Sequence, residues 1–296
     1  MSRKTAADFD PEVLILFDAY VHGALDRRGF LDKAAKYAVG GVTATMLLDQ
    51  LSPKFAEAQQ VAKDDARLTA EYVTYASPQG TGTMKGYLVR PAKAAGKLPG
   101  VLVVHENRGL NPHIEDIARR IALDGYVAFA PDALTPLGGY PAGGEEEART
   151  LFGKLDQAKT REDMVAGAQF LRTHALCNGK IGAVGFCYGG GVVNMLATRV
   201  PELLAGVPFY GGPAAAEDVP KIKAQLLVQY AGNDTRVNAG WPAYETALKA
   251  AGVKYTMHTY PGVEHGFNND TTPRYDEAAA RQAWGQVMEF FERTLR

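Results

Sequence analysis

The sequence lacks several things that would assign its class at once. It has 2 cysteines in 296 residues, so it is not a disulfide-stapled scaffold. Cys177 and Cys187 could close one bridge, but two thiols in a chain this long point to a reduced protein or one reactive thiol. No apolar run reaches the roughly 18 residues a spanning helix needs, which argues against stable membrane insertion. Neither sign of charge dominates. With 32 Lys+Arg against 33 Asp+Glu the formal net charge is −1, so the basic excess of a nucleic-acid-binding surface is missing. No internal repeat occurs. No His, Cys or Asp cluster has metal-ligand spacing and no cofactor motif appears, so neither metal nor cofactor is expected.

What is present is a large apolar content. At 46% hydrophobic residues the chain can build one large core. Residues 69–76 and 83–90 read as a strand pair joined by Pro78-Gln79-Gly80. Beyond Pro99, short apolar runs at 101–104, 126–130, 181–185, 226–230 and 254–259 alternate with helical patterns near 112–123, 188–198, 242–250 and 275–295. That alternation predicts an α/β fold, a mostly parallel central sheet with helices on both faces. Residues 68–296 form this domain. Residues 134–144, rich in Gly and Pro, read as a surface loop near the strand ends.

Residues 1–60 stand apart as an N-terminal extension with two readings. Arg27-Arg28 followed by Phe30-Leu31, an uncharged stretch at 37–48 and Ala56-Glu57-Ala58 resemble a twin-arginine export signal, which implies a periplasmic protein. Leu14, Phe17 and Val21 at helical spacing instead suggest two or three amphipathic helices on a cytoplasmic protein.

The strongest motif is Gly185-Phe186-Cys187-Tyr188-Gly189-Gly190, which follows the apolar strand at 181–185 and precedes a helix. Its spacing is that of a nucleophile elbow with cysteine in the nucleophile position. Glycines two residues to either side let strand and helix approach, and the helix N-terminus favours a thiolate and an oxyanion. A dinucleotide fingerprint fails because Cys187 occupies the place of its second glycine. Elbow enzymes carry the acid and then the histidine later in the chain. Asp234 ends the run at 226–230, and His265 lies in the loop after the next one. Of the six histidines, His22 lies in the extension, His113 and His174 suit surface helices, His258 lies within a strand, and His105 ends a strand near the site. Only His265 follows Asp234 in a loop. Cys187, His265 and Asp234 are thus the expected nucleophile, base and base-orienting acid. The oxyanion donors are expected at the backbone of Tyr188 and, from the loop after residues 101–104, of Asn107.

Together with Asn178-Gly179-Lys180-Ile181-Gly182, four ordered motifs resemble the dienelactone hydrolase family (carboxymethylenebutenolidase-like) of α/β-hydrolases. They are His105-Glu106-Asn107-Arg108-Gly109, the elbow, Gly232-Asn233-Asp234 and Glu264-His265-Gly266-Phe267. The resemblance spans about residues 68–296. It implies a Cys-His-Asp triad hydrolysing small esters or lactones, and a role for Glu106 in regulating the thiol. One feature departs from the pattern. Asn269 stands where members acting on dienelactone carry an arginine for the substrate carboxylate, and Arg274 lies nearby but out of position. Bidentate arginine is not replaced by asparagine without loss, so dienelactone itself is a doubtful substrate. The expected partner is a small-molecule ester or lactone. A non-catalytic binding protein on the same fold, or a thioesterase or peptidase, are the rival readings. The first would be marked by a missing triad member, and the second is separable only by substrate profiling.

Overall fold

The computed structural model describes residues 4–296. Four short helices precede the first strand: α1 (Pro11–Val21), α2 (Arg27–Ala34), α3 (Ala44–Leu51) and α4 (Phe55–Ala58). Local chemistry starts the first three. Asp10, Asp26 and Thr43 each accept a backbone N–H of the first turn, from Glu12, Gly29 and Met46, and Pro11 pre-sets the entry to α1. Their apolar faces make a small core of their own around Val13, Phe17, Tyr20, Phe30, Leu48 and Leu51.

Eight strands form one sheet. β1 (Leu68–Ser77) and β2 (Gly82–Pro91) make the antiparallel edge. β3 (Leu98–Val104), β4 (Val127–Pro131), β5 (Cys177–Phe186), β6 (Leu203–Phe209), β7 (Gln225–Ala231) and β8 (Tyr255–Tyr260) follow. The spatial order is β1-β2-β4-β3-β5-β6-β7-β8. β2 meets β4 antiparallel, and every pairing from β4 to β8 is parallel. Along β3 the side chains alternate between two cores, Leu102 and Val104 on one face, Val101 and Val103 on the other. This is the period of two expected of a strand buried on both sides.

Helices cover both faces. α5 (Pro112–Leu123) packs through Ile114, Ile117 and Ile121 on the Val101 side. After it come α6 (Gly144–Phe152), α7 (Gln157–Thr173), α8 (Tyr188–Arg199), the single turn α9 (Thr235–Asn238), α10 (Trp241–Ala250) and α11 (Glu277–Leu295). α7, α8 and α10 pack on the opposite face through Met164, Leu196 and Leu248, while α11 joins α5 through Val287 and Phe291. No described helix is long and apolar enough to cross a membrane.

The structure departs from the sequence expectations in the extension, which has four α-helices where two or three were expected, in α6 and α7, which no helical pattern read from the sequence covered, and in two further details. β6, central in the sheet, has no clear strand signature because Pro208 interrupts its apolar run; Pro208 nonetheless pairs in register with Gly185. His113, expected on a surface, is buried on α5 with Nδ1 3.3 Å from Asp270. The helical extension folds over the helix's outer side, where Val61 N–H donates to Asp116 and Gln60 to Asp270.

Candidate active site

Cys187 sits between β5 and α8 with φ 55° and ψ −113°, a left-handed backbone uncommon for a side-chain-bearing residue. Two glycines make the turn possible. A Cβ on Gly185 would lie 2.2 Å from the Gly189 carbonyl oxygen, and one on Gly189 would lie 2.2 Å from that of Val104. The elbow therefore holds strand, helix and the neighbouring β3 at backbone contact, and lifts the sulfur over the carboxyl ends of the strands. Tyr188 is the first residue of α8, so its N–H belongs to the set that a helix leaves unpaired.

The remaining predicted residues converge on this point. Asp234 ends β7 and caps α9, with Oδ1 accepting Val237 N–H at 3.1 Å. Its Oδ2 lies 2.5 Å from Nδ1 of His265. Both side chains are buried, and with Nδ1 engaged by Asp234 the Nε2 of His265 is the ring nitrogen left for the thiol. Asn107 and Glu106 follow β3 and line the same cleft as Cys187 and His265. The carboxylate of Glu106 accepts from Asn269 at 3.0 Å. Asn269 thus fills the arginine position by serving Glu106. Arg274 is turned to the extension, 3.2 Å from Asp18.

The site also contains a residue that sequence reasoning set aside. His22, which caps the C-terminal end of α1, places Nε2 3.3 Å from the Cys187 sulfur. The donor atoms of His22, Cys187 and His265 all lie within 4.8 Å of one another. This is a three-ligand group of the kind a soft cation uses, but the Arg236 guanidinium stands 3.1 Å from His22 Nε2 and opposes a further positive charge there. No local pattern marks His22. Its only signal is that it ends an amphipathic helix whose apolar face needs a surface.

The electrostatics favour a thiolate. Burial alone would push the Cys187 thiol up, but the charges and hydrogen bonds of His265 and His22 outweigh it and bring it down to about 6. The same pairing acts on the imidazoles. Burial lowers His265, while the thiolate and Asp234 raise it to a net upward shift. Burial likewise opposes the charged form of His22, and its bonds to Asp18 and Cys187 raise it to about 10. His105 does different work. Fully buried, it accepts Ala133 N–H on Nε2 at 3.1 Å and meets the Glu106 carbonyl through Nδ1, which ties the end of β3 to the start of the β4 loop. Burial holds it neutral. Cys177, the first residue of β5 and paired with Leu98 of β3, is buried and takes Gly179 N–H at 3.4 Å; burial raises its thiol, so it is a packing residue.

Two clefts meet at Cys187. One, of about 720 Å³, is lined by Glu106, Arg108, Arg149, His265 and Arg274. The other, of about 1230 Å³, carries His22, Tyr188, Val192, Met195, Pro213 and Ala214 and is mostly apolar.

A doubly covered, mainly parallel sheet with a cysteine at the strand-to-helix elbow defines an α/β-hydrolase. The chain belongs to the dienelactone hydrolase family, whose model matches residues 84–295. A second model, YqhI-like, matches residues 1–37. The chain is 34% identical over 230 residues to a Synechocystis protein described as a carboxymethylenebutenolidase, covering 71% of this chain and 92% of that one. It is 55% identical over 115 residues to the hydrolase fragment YghX of Escherichia coli K12, covering 39% of this chain and 97% of the fragment. A dienelactone hydrolase-like promiscuous phosphotriesterase from metagenomic libraries superposes with a TM-score of 0.68 at 26% identity, over 78% of this chain and 100% of that one. The dienelactone hydrolase of Anabaena variabilis gives 0.57 at 26% identity, with the same coverage. The protein is therefore an esterase-type hydrolase acting on a small molecule.

Proposed function

We propose that the chain hydrolyses small esters or lactones by covalent catalysis, with Cys187 as nucleophile, His265 as base and Asp234 as the group that orients and charges the base. The observation that carries the reading is the short Asp234–His265 contact facing a thiol held at a strained elbow. With the thiol lowered to about 6, it is largely thiolate at neutral pH. The sulfur attacks the carbonyl carbon. The oxyanion that forms takes the backbone N–H groups of Tyr188 and Asn107, and collapse breaks the C–O bond to leave a thioester, the departing oxygen taking from an imidazole of the site the proton that the thiol gave up and leaving as alcohol. Water then loses a proton to His265 Nε2 and adds to the thioester. Expulsion of the thiolate releases the acid.

The substrate we infer is a small neutral ester or lactone rather than dienelactone. Near the sulfur, Arg274 is engaged by Asp18, and Arg108 by Asn107 and Glu145. A substrate carboxylate would have to displace those partners. The test is turnover of an ester and lactone panel by the wild type and by Cys187→Ala. Loss of turnover in the variant is expected, and wild-type rates without the sulfur would end the reading.

A further inference from the structure

We propose that His22, delivered by the N-terminal segment, is a second acid–base residue of the thiol site: it pairs with the resting thiolate of Cys187 and protonates the alcohol that leaves during acylation. The proposal rests on the hydrolase reading and adds to it a residue from outside the hydrolase domain.

Four observations carry it. The first is the 3.3 Å contact of His22 Nε2 with the sulfur. It sets His22 beside His265 as a second partner of the sulfur, the donor atoms of the three residues lying within 4.8 Å of one another. The second is the group behind the ring. His22 Nδ1 lies 2.8 Å from the Asp18 carbonyl and 3.2 Å from its carboxylate. Two acceptors at Nδ1 hold a proton there, and the bonds to Asp18 and the sulfur favour a second one on Nε2 although the Arg236 guanidinium, 3.1 Å away, opposes it. The third is position in the clefts. The rings of His22 and His265 meet edge to face, 4.8 Å between centroids, and His22 also lines the apolar cleft while His265 lines the arginine-lined one, so both imidazoles stand beside the sulfur where the two clefts meet.

The fourth is how firmly α1 is held. A helix leaves its last carbonyls unpaired and carries negative potential at that end. Here the hydrolase domain supplies the partners. Asn107 donates to the Val21 carbonyl at 2.9 Å, Arg149 donates to that of Tyr20, and Arg274 bonds Asp18. An imidazolium at the helix C-terminus is further favoured by the dipole. The segment is thus built to present His22, and the residues that grip it flank the elbow cleft.

The proton balance closes. In the proposed cycle Cys187 starts as thiolate, His22 Nε2 carries the proton, and His265 Nε2 takes up none until water enters. Attack forms the C–S bond. Collapse breaks the C–O bond, and the departing alkoxide takes the proton on His22 Nε2 to leave as alcohol. In deacylation water gives a proton to His265, its oxygen bonds the acyl carbon, and the C–S bond breaks to return the thiolate. The sulfur, within reach of both rings, then takes the proton from His265 and passes it to His22. One ester and one water become one acid and one alcohol.

The titratable and charged groups facing His22 are Asp18 on its own helix, Cys187 at the head of α8, Asp234 and Arg236 around α9, and Glu264, His265 and Arg274 of the loop after β8. The experiment uses the full chain and the variants H22A and H22Q. Acylation rates are measured with p-nitrophenyl acetate and phenyl acetate, and the pH dependence of iodoacetamide alkylation is read separately. A general acid matters most when the leaving group is basic. H22A is therefore expected to lose roughly 10²-fold with phenyl acetate and much less with p-nitrophenyl acetate. Its alkylation midpoint should rise from about 6. H22Q keeps a polar contact but carries no transferable proton, so it should not restore phenyl acetate turnover. Equal losses on both esters would overturn the acid role, and an unchanged alkylation midpoint would overturn the resting pair. A gain on both esters would mean the segment only obstructs the site. If H22A fails to fold, D18N is read by the same two measurements with the same expected signs. A wild type inert to every ester and lactone sinks the hydrolase reading and the leaving-group role with it. The alkylation midpoints would still decide the His22 contact.

Discussion

Exchanging Asp234 for asparagine isolates the contact on which the hydrolytic mechanism turns. Both carboxylate oxygens are committed, Oδ2 to His265 Nδ1 at 2.5 Å and Oδ1 to Val237 N–H at 3.1 Å. The amide has one acceptor. If that oxygen keeps the Val237 bond, an NH₂ group faces Nδ1, and two donors oppose each other. The imidazole then shifts its proton to Nε2, the atom that must accept one from water. Loss of a charge-assisted hydrogen bond costs about 1.5–3 kcal/mol. At about 1.4 kcal/mol per decade this alone is roughly a ten- to hundredfold effect. The wrong tautomer adds to it, and the same exchange in a serine protease triad reaches about 10⁴. D234N should therefore lose between about 10² and 10⁴ in kcat/KM for p-nitrophenyl acetate at neutral pH. Because Asp234 also caps α9, the melting temperature is measured alongside. A correctly folded D234N enzyme with undiminished kcat/KM would refute the assignment of acid and base.

Other predictions follow from the same geometry. Gly190→Ala would place a Cβ 2.4 Å from the Phe209 carbonyl oxygen, so α8 must shift; a lowered melting temperature and lost turnover are expected, and a variant with native properties contradicts the elbow packing. Phe30 is fully buried among Phe17 and Tyr20, and Phe30→Ala should cost about 3–5 kcal/mol locally. Limited proteolysis should then cut the extension while the hydrolase domain resists. Thiol alkylation by the wild type should fall as pH drops through about 6, because the lowered thiol is ionised above that value and protonated below it. A midpoint near 9 would show that the imidazoles do not act on the sulfur. Arg274→Ala removes both the Asp18 ion pair and the guanidinium 5.1 Å above the Phe17 ring, and should expose α1 to protease before any other helix.

The sequence by itself determined the elements whose signals are local. Short continuous apolar runs set β3, β5 and β7, and the glycines around Cys187 marked a sharp turn because a Cβ there meets backbone. Asp234 and His265 were legible as residues that follow strands in the right order. β6 was hidden by Pro208, a residue that ordinarily argues against a central strand. Only tertiary structure decided what reaches the sulfur from afar. His22 and Cys187 are 165 positions apart, and no spacing rule links them. α1 announces an apolar face but not the surface it covers. That surface is chosen by Asn107, Arg149 and Arg274, three side chains remote in sequence whose donors happen to match the bare carbonyls and the one carboxylate at the end of α1. Long-range contacts of this kind depend on how separate cores dock, so a pattern read along the chain could name the thiol and its His265 partner yet not the second imidazole beside it.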